Sequence, residues 1–176
     1  GWIRRWEKLQ PCETTTGKFG VMLNGENGAE SNIELLRAAE RIADALALRY
    51  VVRLHPSFSP LSYRSLVNER CESIRVIPTA QYVEAVDFSI AHMSGATIEM
   101  LQVESPVYVL DDGRLAEAFK IPGLSFDGVE EILATIVADA GTRDRGRGRT
   151  RQLRHWFNDD TNQDSRISNA LLAEGI

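Results

Sequence analysis

The stretch DFSIAHMSGATIEMLQVESPVYVLDD (residues 87–112) contains a complete strand–helix–strand pattern. DFSIAHM predicts a strand, SGATIEMLQVE a helix, and SPVYVLD the next strand. Both strand segments are short apolar runs rather than alternating ones, which is typical of strands covered on both faces. The stretch therefore indicates a parallel sheet with helices packed against it.

The same alternation continues on both sides of this stretch. Three earlier strands and one short later strand are predicted in KFGVMLNG (18–25), YVVRLHP (50–56), SIRVIP (73–78) and LSF (124–126). We expect helices over 32–48, capped by Ser31 or Asn32, over 79–85, capped by Thr79, and after residue 128. A helix is expected over 61–69, and one or two helical turns are expected over 113–119. The sequence thus predicts an α/β fold, a doubly wound parallel sheet of about six strands.

The chain divides into four predicted parts. Residues 1–17 form a lead-in segment, 18–140 the α/β domain, 141–150 an Arg/Gly-rich loop, and 151–176 a helical segment. Six arginines lie between Arg143 and Arg154. Such a run suits either an anionic contact or a solvated linker, and we favour the linker because glycine-rich charged runs rarely pack.

Composition excludes several classes of protein. The 176 residues are 43% hydrophobic and 26% charged, with a net charge of −5, so nucleic acid is not an expected partner. No apolar run approaches the ~20 residues that span a bilayer, and no signal peptide is visible. We expect Cys12 and Cys71 to be reduced thiols in a cytosolic protein. The chain opens on Gly1, which suggests a fragment of a longer protein.

In an open parallel sheet, ligands bind beyond the carboxyl ends of the strands. The predicted strand ends are polar or small: Asn24-Gly25, His55-Pro56, Pro78-Thr79, Ser94-Gly95 and Asp111-Asp112. Where such an end opens a helix, free backbone N–H groups and the helix dipole suit a phosphate. The strand ends are therefore the candidate site.

Ser94, Gly95, Ala96 and Thr97 leave little bulk at a helix entry. A phosphate could approach their amides closely, and both hydroxyls could donate to it. Glu99 follows inside the helix, where its carboxylate suits ribose hydroxyls or simply the helix dipole. The alternative is an ordinary N-cap with small residues for close helix–strand packing.

His55 follows a strand and precedes Pro56, which ends the hydrogen-bond ladder and fixes the turn. Its imidazole can donate to a phosphate, although a structural hydrogen bond is the alternative. His92 lies inside a strand pattern and is interpreted as structural or as a residue that supports a neighbouring site residue. Asn24 and Gly25 suit a backbone that approaches a ligand, or equally a simple turn.

Several well-known motifs are missing from the sequence. It contains no GxGxxG, GxxxxGK[ST], GxSxG, HExxH or CxxC. No DxD-like motif stands at the expected strand end, and Asp111-Asp112 is equally a turn. We therefore predict no metal site and no required cofactor.

The order of these segments resembles the carboxyl-terminal half of GT-B glycosyltransferases over about residues 18–137. The segments are, in order, those that end in NG, RLHP and IP, followed by SGATIEML and SPVYVLDD. The closest likeness is to bacterial enzymes of capsule and cell-wall polymer synthesis that carry an HP motif. These are sialyltransferase-like, Kdo-transferase-like and CDP-glycerol glycerophosphotransferase-like proteins. The resemblance implies a Rossmann-like GT-B half-domain, with 18–140 binding a CMP-, CDP- or UDP-linked donor.

The resemblance also implies roles for single residues. His55 would be the catalytic group that contacts the donor phosphate, together with the 94–97 helix start. Glu99 would contact the ribose, and the segment Ile77-Pro78-Thr79 would flank the base. The family usually shows two adjacent hydroxyls where this chain has Ser-Gly-Ala-Thr.

In the family, an amino-terminal domain supplies the acceptor site and the general base. Here a missing domain or a separate chain would supply them, so the chain would be an incomplete enzyme that acts on a saccharide acceptor. The expected location is the cytoplasm, with peripheral contact at the inner membrane face through Arg143 to Arg154 as a further option. The alternatives are a nucleotide-sugar 2-epimerase-like domain and a non-catalytic flavodoxin-like binding module.

Overall fold

The computed structural model describes residues 16–25, 28–57, 59–139, 146–151 and 153. This part of the chain contains one sheet of six parallel strands in the order β3-β2-β1-β4-β5-β6. The strands are β1 (Lys18–Met22), β2 (Arg49–Arg53), β3 (Cys71–Arg75), β4 (Ser89–Ala91), β5 (Val107–Leu110) and β6 (Ser125–Phe126). The helices are α1 (Ala29–Leu46), α2 (Thr79–Ala85), α3 (Gly95–Gln102) and α4 (Val129–Ala138).

The sheet is doubly wound, as predicted. Strand order runs outward from β1 to β3 and then restarts on the other side of β1 with β4. This order is the Rossmann arrangement, in which the crevice between the two innermost strands is the usual ligand position. Here those strands are β1 and β4.

Helices cover both faces of the sheet. On one face α1 and α4 pack together over side chains such as Phe19 and Val21 of β1. On the other face α2 and α3 pack over a second apolar cluster that contains Met22 and Val51. The inner strands β1, β2, β4 and β5 therefore bury residues on both faces, which explains their continuous apolar runs, whereas the edge strand β3 buries only Ile74.

The packing of α2 depends on a glycine in β1. A Cβ at Gly20 would lie 1.8 Å from the hydroxyl oxygen of Tyr82, whose side chain is fully buried. Burial raises the pKa of the Tyr82 phenol well above its usual range. Gly20 thus gives Tyr82 of α2 its place against the sheet.

Local details differ from the sequence predictions at two helix starts and in one further segment. Helix α1 begins at Ala29 with Gly28 at its N-cap, so Ser31 and Asn32 lie inside its first turn and cap nothing. In α2 the N-cap is Pro78, and Thr79 is the first helical residue. The helix expected over 61–69 consists of two short 3-10 turns, Pro60–Ser62 and Arg64–Leu66.

The arginine-rich stretch also differs from expectation where the structure describes it. Residues 146–151 are helical rather than a loop. The Arg149 guanidinium lies 4.3 Å from the ring centre of Tyr108, pairs with Asp139 at 3.2 Å and donates to the Gly123 carbonyl. Cation–π and ion-pair contacts hold this arginine on the fold, which a charge run alone does not reveal.

The remaining predictions for the chain ends lie largely outside the described residues. These include Cys12, the lead-in segment up to residue 15, and residues 154–176. Cys71 is a free thiol, and burial raises its pKa to about 11. In the part of the chain that the structure describes, no helix has the length and apolarity to cross a bilayer.

Candidate functional site

The three central strands end level with one another. Met22 at the end of β1 pairs with Arg53 of β2 and with Ala91 of β4. Neighbouring strands lie about 4.8 Å apart, so the residues that follow these strands share one short edge. The prediction that the segments after β1, β2 and β4 converge on the carboxyl edge is confirmed.

His55 stands exposed at this edge, two residues after β2. A Cβ at Gly25 would lie 3.7 Å from the imidazole Nδ1, so the ring lies beside the Asn24-Gly25 turn. The Ser57 amide donates to Nδ1 at 3.2 Å, and the Ser57 hydroxyl lies 2.7 Å from it. Nδ1 is thus an acceptor, which leaves the proton on Nε2 and makes that nitrogen a donor. Pro56 is exposed beside it.

The loop after β1 is held from inside by Asn32. The Asn24 amide donates to Asn32 Oδ1 at 2.8 Å, and Asn32 Nδ2 donates to the Asn24 carbonyl and to the Tyr63 hydroxyl, both at 3.0 Å. Asn32 is fully buried. A Cβ at Gly28 would lie 2.9 Å from Asn24 Cβ. The chain's own groups therefore fill the start of α1.

Sequence reasoning missed the role of Asn32, although a signal was present. Asn32 falls on the same helical face as Leu35, Leu36 and Ala39, all of which are buried. An amide on an apolar face needs hydrogen-bond partners inside the protein. That position therefore indicated an internal polar contact rather than a cap.

The start of α3, by contrast, is open. Ser94 is the N-cap, and a Cβ at Gly95 would meet nothing within 4 Å. The N–H groups of Gly95 and Ala96 have no hydrogen-bond partner among the described residues, as expected for the first amides of a helix. Two free amides and empty space make this helix start suitable for an anion.

Thr97 does not take part in the way the sequence suggested. Its side chain is fully buried, and its hydroxyl donates to the His92 carbonyl at 2.8 Å. Ser94 Oγ lies 3.4 Å from Thr97 Oγ1. The expectation that both hydroxyls point to a phosphate is wrong for Thr97, because the helix turns this side chain toward the sheet.

Glu99 and Thr79 meet on the α2–α3 side of the sheet. The Thr79 hydroxyl donates to Glu99 Oε2 at 2.7 Å, and Arg53 Nη2 donates to Thr79 Oγ1 at 2.9 Å. Arg53 also donates from Nε to the Ile77 carbonyl at 3.0 Å and lies 3.7 Å from the Glu99 carboxylate. The residues suggested for ribose and base contacts, with Pro78 between Ile77 and Thr79, thus form one connected group.

Arg53 was not among the predicted site residues. A charged residue inside the apolar run VVRL was its signal in the sequence. Its guanidinium lies 5.5 Å from the ring centre of Tyr82 and carries the contacts that fix the Ile77–Thr79 segment. Buried cations need such partners, so a charge in a buried strand indicates a local network.

Asp111 and Asp112 bind their own loop. Asp111 Oδ1 accepts from the Gly113 amide at 2.8 Å, and Asp112 accepts from the Ser31 hydroxyl at 2.7 Å and the Arg114 amide at 3.1 Å. Desolvation alone would raise the pKa of Asp112, but these hydrogen bonds and the charges of His92 and Arg114 outweigh it and lower that pKa. Within the described ranges, no cluster of three or more His, Cys, Asp or Glu side chains could hold a metal ion.

A cavity of about 260 Å³ lies elsewhere, along the edge strand β3. Its lining includes Arg64, Asn68 and Cys71, and none of the predicted site residues. The chemistry-bearing groups therefore line an open rim at the carboxyl edge and not this cavity.

Comparison with known proteins gives structural likeness only. No protein-family model and no curated protein matches the sequence. Spinosyn rhamnosyltransferase SpnG complexed with thymidine diphosphate superimposes with a TM-score of 0.53 and 15% sequence identity, over 82% of this chain and 43% of that protein. A second SpnG structure gives a TM-score of 0.54 and 15% identity, over 96% of this chain and 48% of that protein.

The chain therefore spans less than half the length of these solved structures. At 15% identity the likeness shows the fold alone, so the GT-B resemblance and its HP-motif group both stay predictions. The chain has a Rossmann-like parallel α/β fold, which is similar to part of that rhamnosyltransferase structure.

Proposed function

We propose that this domain binds the diphosphate of a nucleotide-activated sugar, as the donor-binding half of a glycosyltransferase. The observation that carries the proposal is the open start of α3 beside the β1–β4 switch point, where Gly95 and Ala96 present free amides. An exposed imidazole, His55, follows β2 on the same edge. Helix amides and a nearby donor are the groups that bind phosphates in this kind of fold.

The chemistry follows from where charge develops. When a sugar leaves a nucleotide diphosphate, the leaving phosphate gains negative charge. Donors already in place stabilise that charge without reorganisation. The α3 amides would bind the phosphate throughout, and His55 Nε2–H would donate to it as the bond to the sugar breaks.

The nucleoside would extend toward α2. Arg53 and Thr79 already hold Glu99 next to the Ile77 carbonyl. A carboxylate fixed in this way accepts hydrogen bonds from ribose hydroxyls, and backbone groups at 77–79 can recognise a base edge. The related fold of SpnG, solved with thymidine diphosphate, supports a nucleoside diphosphate as the ligand class.

The finer assignment rests on sequence resemblance. In this assignment the chain is part of a bacterial HP-motif transferase that makes surface polysaccharide in the cytoplasm or at the inner membrane face. Another domain or chain would supply the acceptor site and the general base. The segments LHP (54–56) and SGATIEML (94–101) support this part of the proposal. Nucleotide preference tests it, since cytidine nucleotides fit the sialyltransferase-like and CDP-glycerol groups.

The test is a titration of the chain with CMP, CDP, UDP, TDP and GDP while thermal unfolding is followed. A ligand at 100 times its Kd stabilises the native state by about 2.7 kcal/mol, which raises the midpoint measurably. We expect at least one nucleoside diphosphate to do so. The absence of any shift at millimolar nucleotide would overturn the proposal.

A matched pair of variants locates the site. His55→Ala removes a donor to a charged phosphate, a bond of about 1.5–3 kcal/mol, so affinity should fall about tenfold or more. Arg37→Ala removes a cation from the exposed face of α1 and should leave affinity unchanged. Equal losses in both variants would indicate general electrostatics instead of a contact at His55.

A further inference from the structure

The ring of His92 is held between two backbone carbonyls. Nδ1 lies 3.1 Å from the Leu110 oxygen at the end of β5, and Nε2 lies 2.8 Å from the Ser31 oxygen in α1. His92 is only 6% exposed. A carbonyl oxygen only accepts, and a neutral imidazole carries a single N–H. Both hydrogen bonds therefore form together only when the ring carries two protons.

Charged groups belong to the elements packed against His92. Asp112, after β5, acts on it electrostatically and itself accepts from the Ser31 hydroxyl. Behind Asp112, Arg114 lies 3.7 Å from that carboxylate and 2.8 Å from Glu30 of α1. From α3 the packed group is Thr97, which is uncharged. The Asp112 carboxylate is ionised at neutral pH because its pKa is lowered.

The same residue connects the two helix starts at the switch point. The His92 ring bonds to the Ser31 carbonyl. Asn32, which follows Ser31 in the chain, holds the backbone of Asn24 beside His55. The His92 carbonyl accepts from Thr97 in α3. His92 is therefore linked to the start of α3 by a direct hydrogen bond and to the Asn24 loop through Ser31 and its neighbour Asn32.

We propose that His92 is a doubly protonated positioning residue that ties α1 to β5 and makes the candidate site depend on pH. Loss of one proton breaks one of the two ring hydrogen bonds and loosens the first turn of α1. The Asn24 loop then loses its fixed place. Nucleotide affinity should accordingly be high at acidic pH and fall as His92 loses its proton. The effect on affinity rests on the proposed function, whereas the protonation of His92 does not.

Protonation is measured directly on the ¹⁵N-labelled chain by NMR of the imidazole nitrogens. His55→Gln and His155→Gln variants assign the remaining signals to His92. We expect both His92 nitrogens to show shifts of protonated nitrogen at pH 7, and the Ser31 and Asn24 amides to move as His92 titrates. A His92 nitrogen without a proton at pH 7 would overturn the proposal, whether or not any nucleotide binds.

Affinity is then measured with UDP-glucose and TDP-glucose at pH 6, 7 and 8, since their diester phosphates do not titrate in this range. Wild type should lose about fivefold or more from pH 6 to pH 8, the size of a typical coupling between sites. In His92→Gln we expect a flatter profile, and the difference between the two profiles separates His92 from His55. An unchanged profile in this variant would also overturn the proposal. Absence of binding by both probes would count against the proposed function and leave the NMR result to decide on His92.

Discussion

Two glycine-containing helix starts face the same edge of the sheet, and only one of them has room for a ligand. At α1, Gly28 lies against Asn24, and Asn32 holds the Asn24 backbone with two hydrogen bonds. At α3, a Cβ on Gly95 would meet empty space. Both starts belong to the two strands that flank the switch point. The difference assigns the anion-binding role to α3 and a supporting role to α1.

The comparison shows what a helix start needs before it becomes a site. Free amides and the helix dipole exist at every helix N-terminus, so they do not distinguish α1 from α3. The packing around each helix start distinguishes the two. At α1, Asn24 lies against Gly28 and is held there by Asn32, whereas no atom lies within 4 Å of a Cβ position at Gly95.

The largest effect is expected from Asn32→Ala, which tests whether the start of α1 is filled and stabilised by the chain's own groups. The variant removes the side-chain partner of the Asn24 amide and carbonyl and one contact of the Tyr63 hydroxyl. Unsatisfied buried groups cost about 1–3 kcal/mol, so we expect a loss of about 2–3 kcal/mol in the free energy of unfolding, measured with urea. Glu34→Ala, on the exposed face of the same helix, should change it by less than about 0.5 kcal/mol. Similar values for the two variants would contradict the internal role of Asn32.

A smaller effect is expected from the two glycines themselves. Gly28→Ala places a methyl group 2.9 Å from Asn24 Cβ and should cost about 1–3 kcal/mol through overpacking. Gly95→Ala should leave stability within about 0.5 kcal/mol of wild type, since its Cβ meets open space. The same methyl group would crowd an anion at the α3 amides, so TDP binding by calorimetry should weaken in Gly95→Ala. Equal destabilisation by the two substitutions would remove the distinction between closed and open starts.

The sequence alone predicted the fold and part of the candidate site. The apolar runs and their alternation with helices predicted the six-stranded parallel sheet, because burial on both faces leaves a clear pattern along the chain. The strand-end rule also predicted which segments meet at the carboxyl edge. That much follows from local periodicity and one topological rule.

The direction of single side chains did not follow from the sequence. Thr97 was expected to donate to a phosphate and Asn32 to cap α1, and both instead bond inward to the backbone of the segments that precede their helices, at His92 and Asn24. Likewise, Arg149 was expected in a solvated loop, and it packs on Tyr108. These contacts depend on which elements lie next to each other in space, and a pattern read along one chain does not contain that information.

The smallest effect is expected from removal of the Ser94 and Thr97 hydroxyls at the start of α3. The two variants compare a hydroxyl at the open rim with one that points into the protein. Thr97→Val keeps the shape but removes the hydrogen bond to the His92 carbonyl, which should cost about 1 kcal/mol in urea unfolding. Its TDP affinity should not change, because the hydroxyl points to the sheet.

Ser94 makes no side-chain cap bond, so Ser94→Ala should leave stability within about 0.5 kcal/mol of wild type. If the Ser94 hydroxyl faces the ligand, its loss should weaken TDP binding about fivefold, the equivalent of one neutral hydrogen bond. The reverse order of affinities would mean that the Thr97 side chain turns outward when the phosphate binds, and the inward bond to His92 would then belong to the empty site alone.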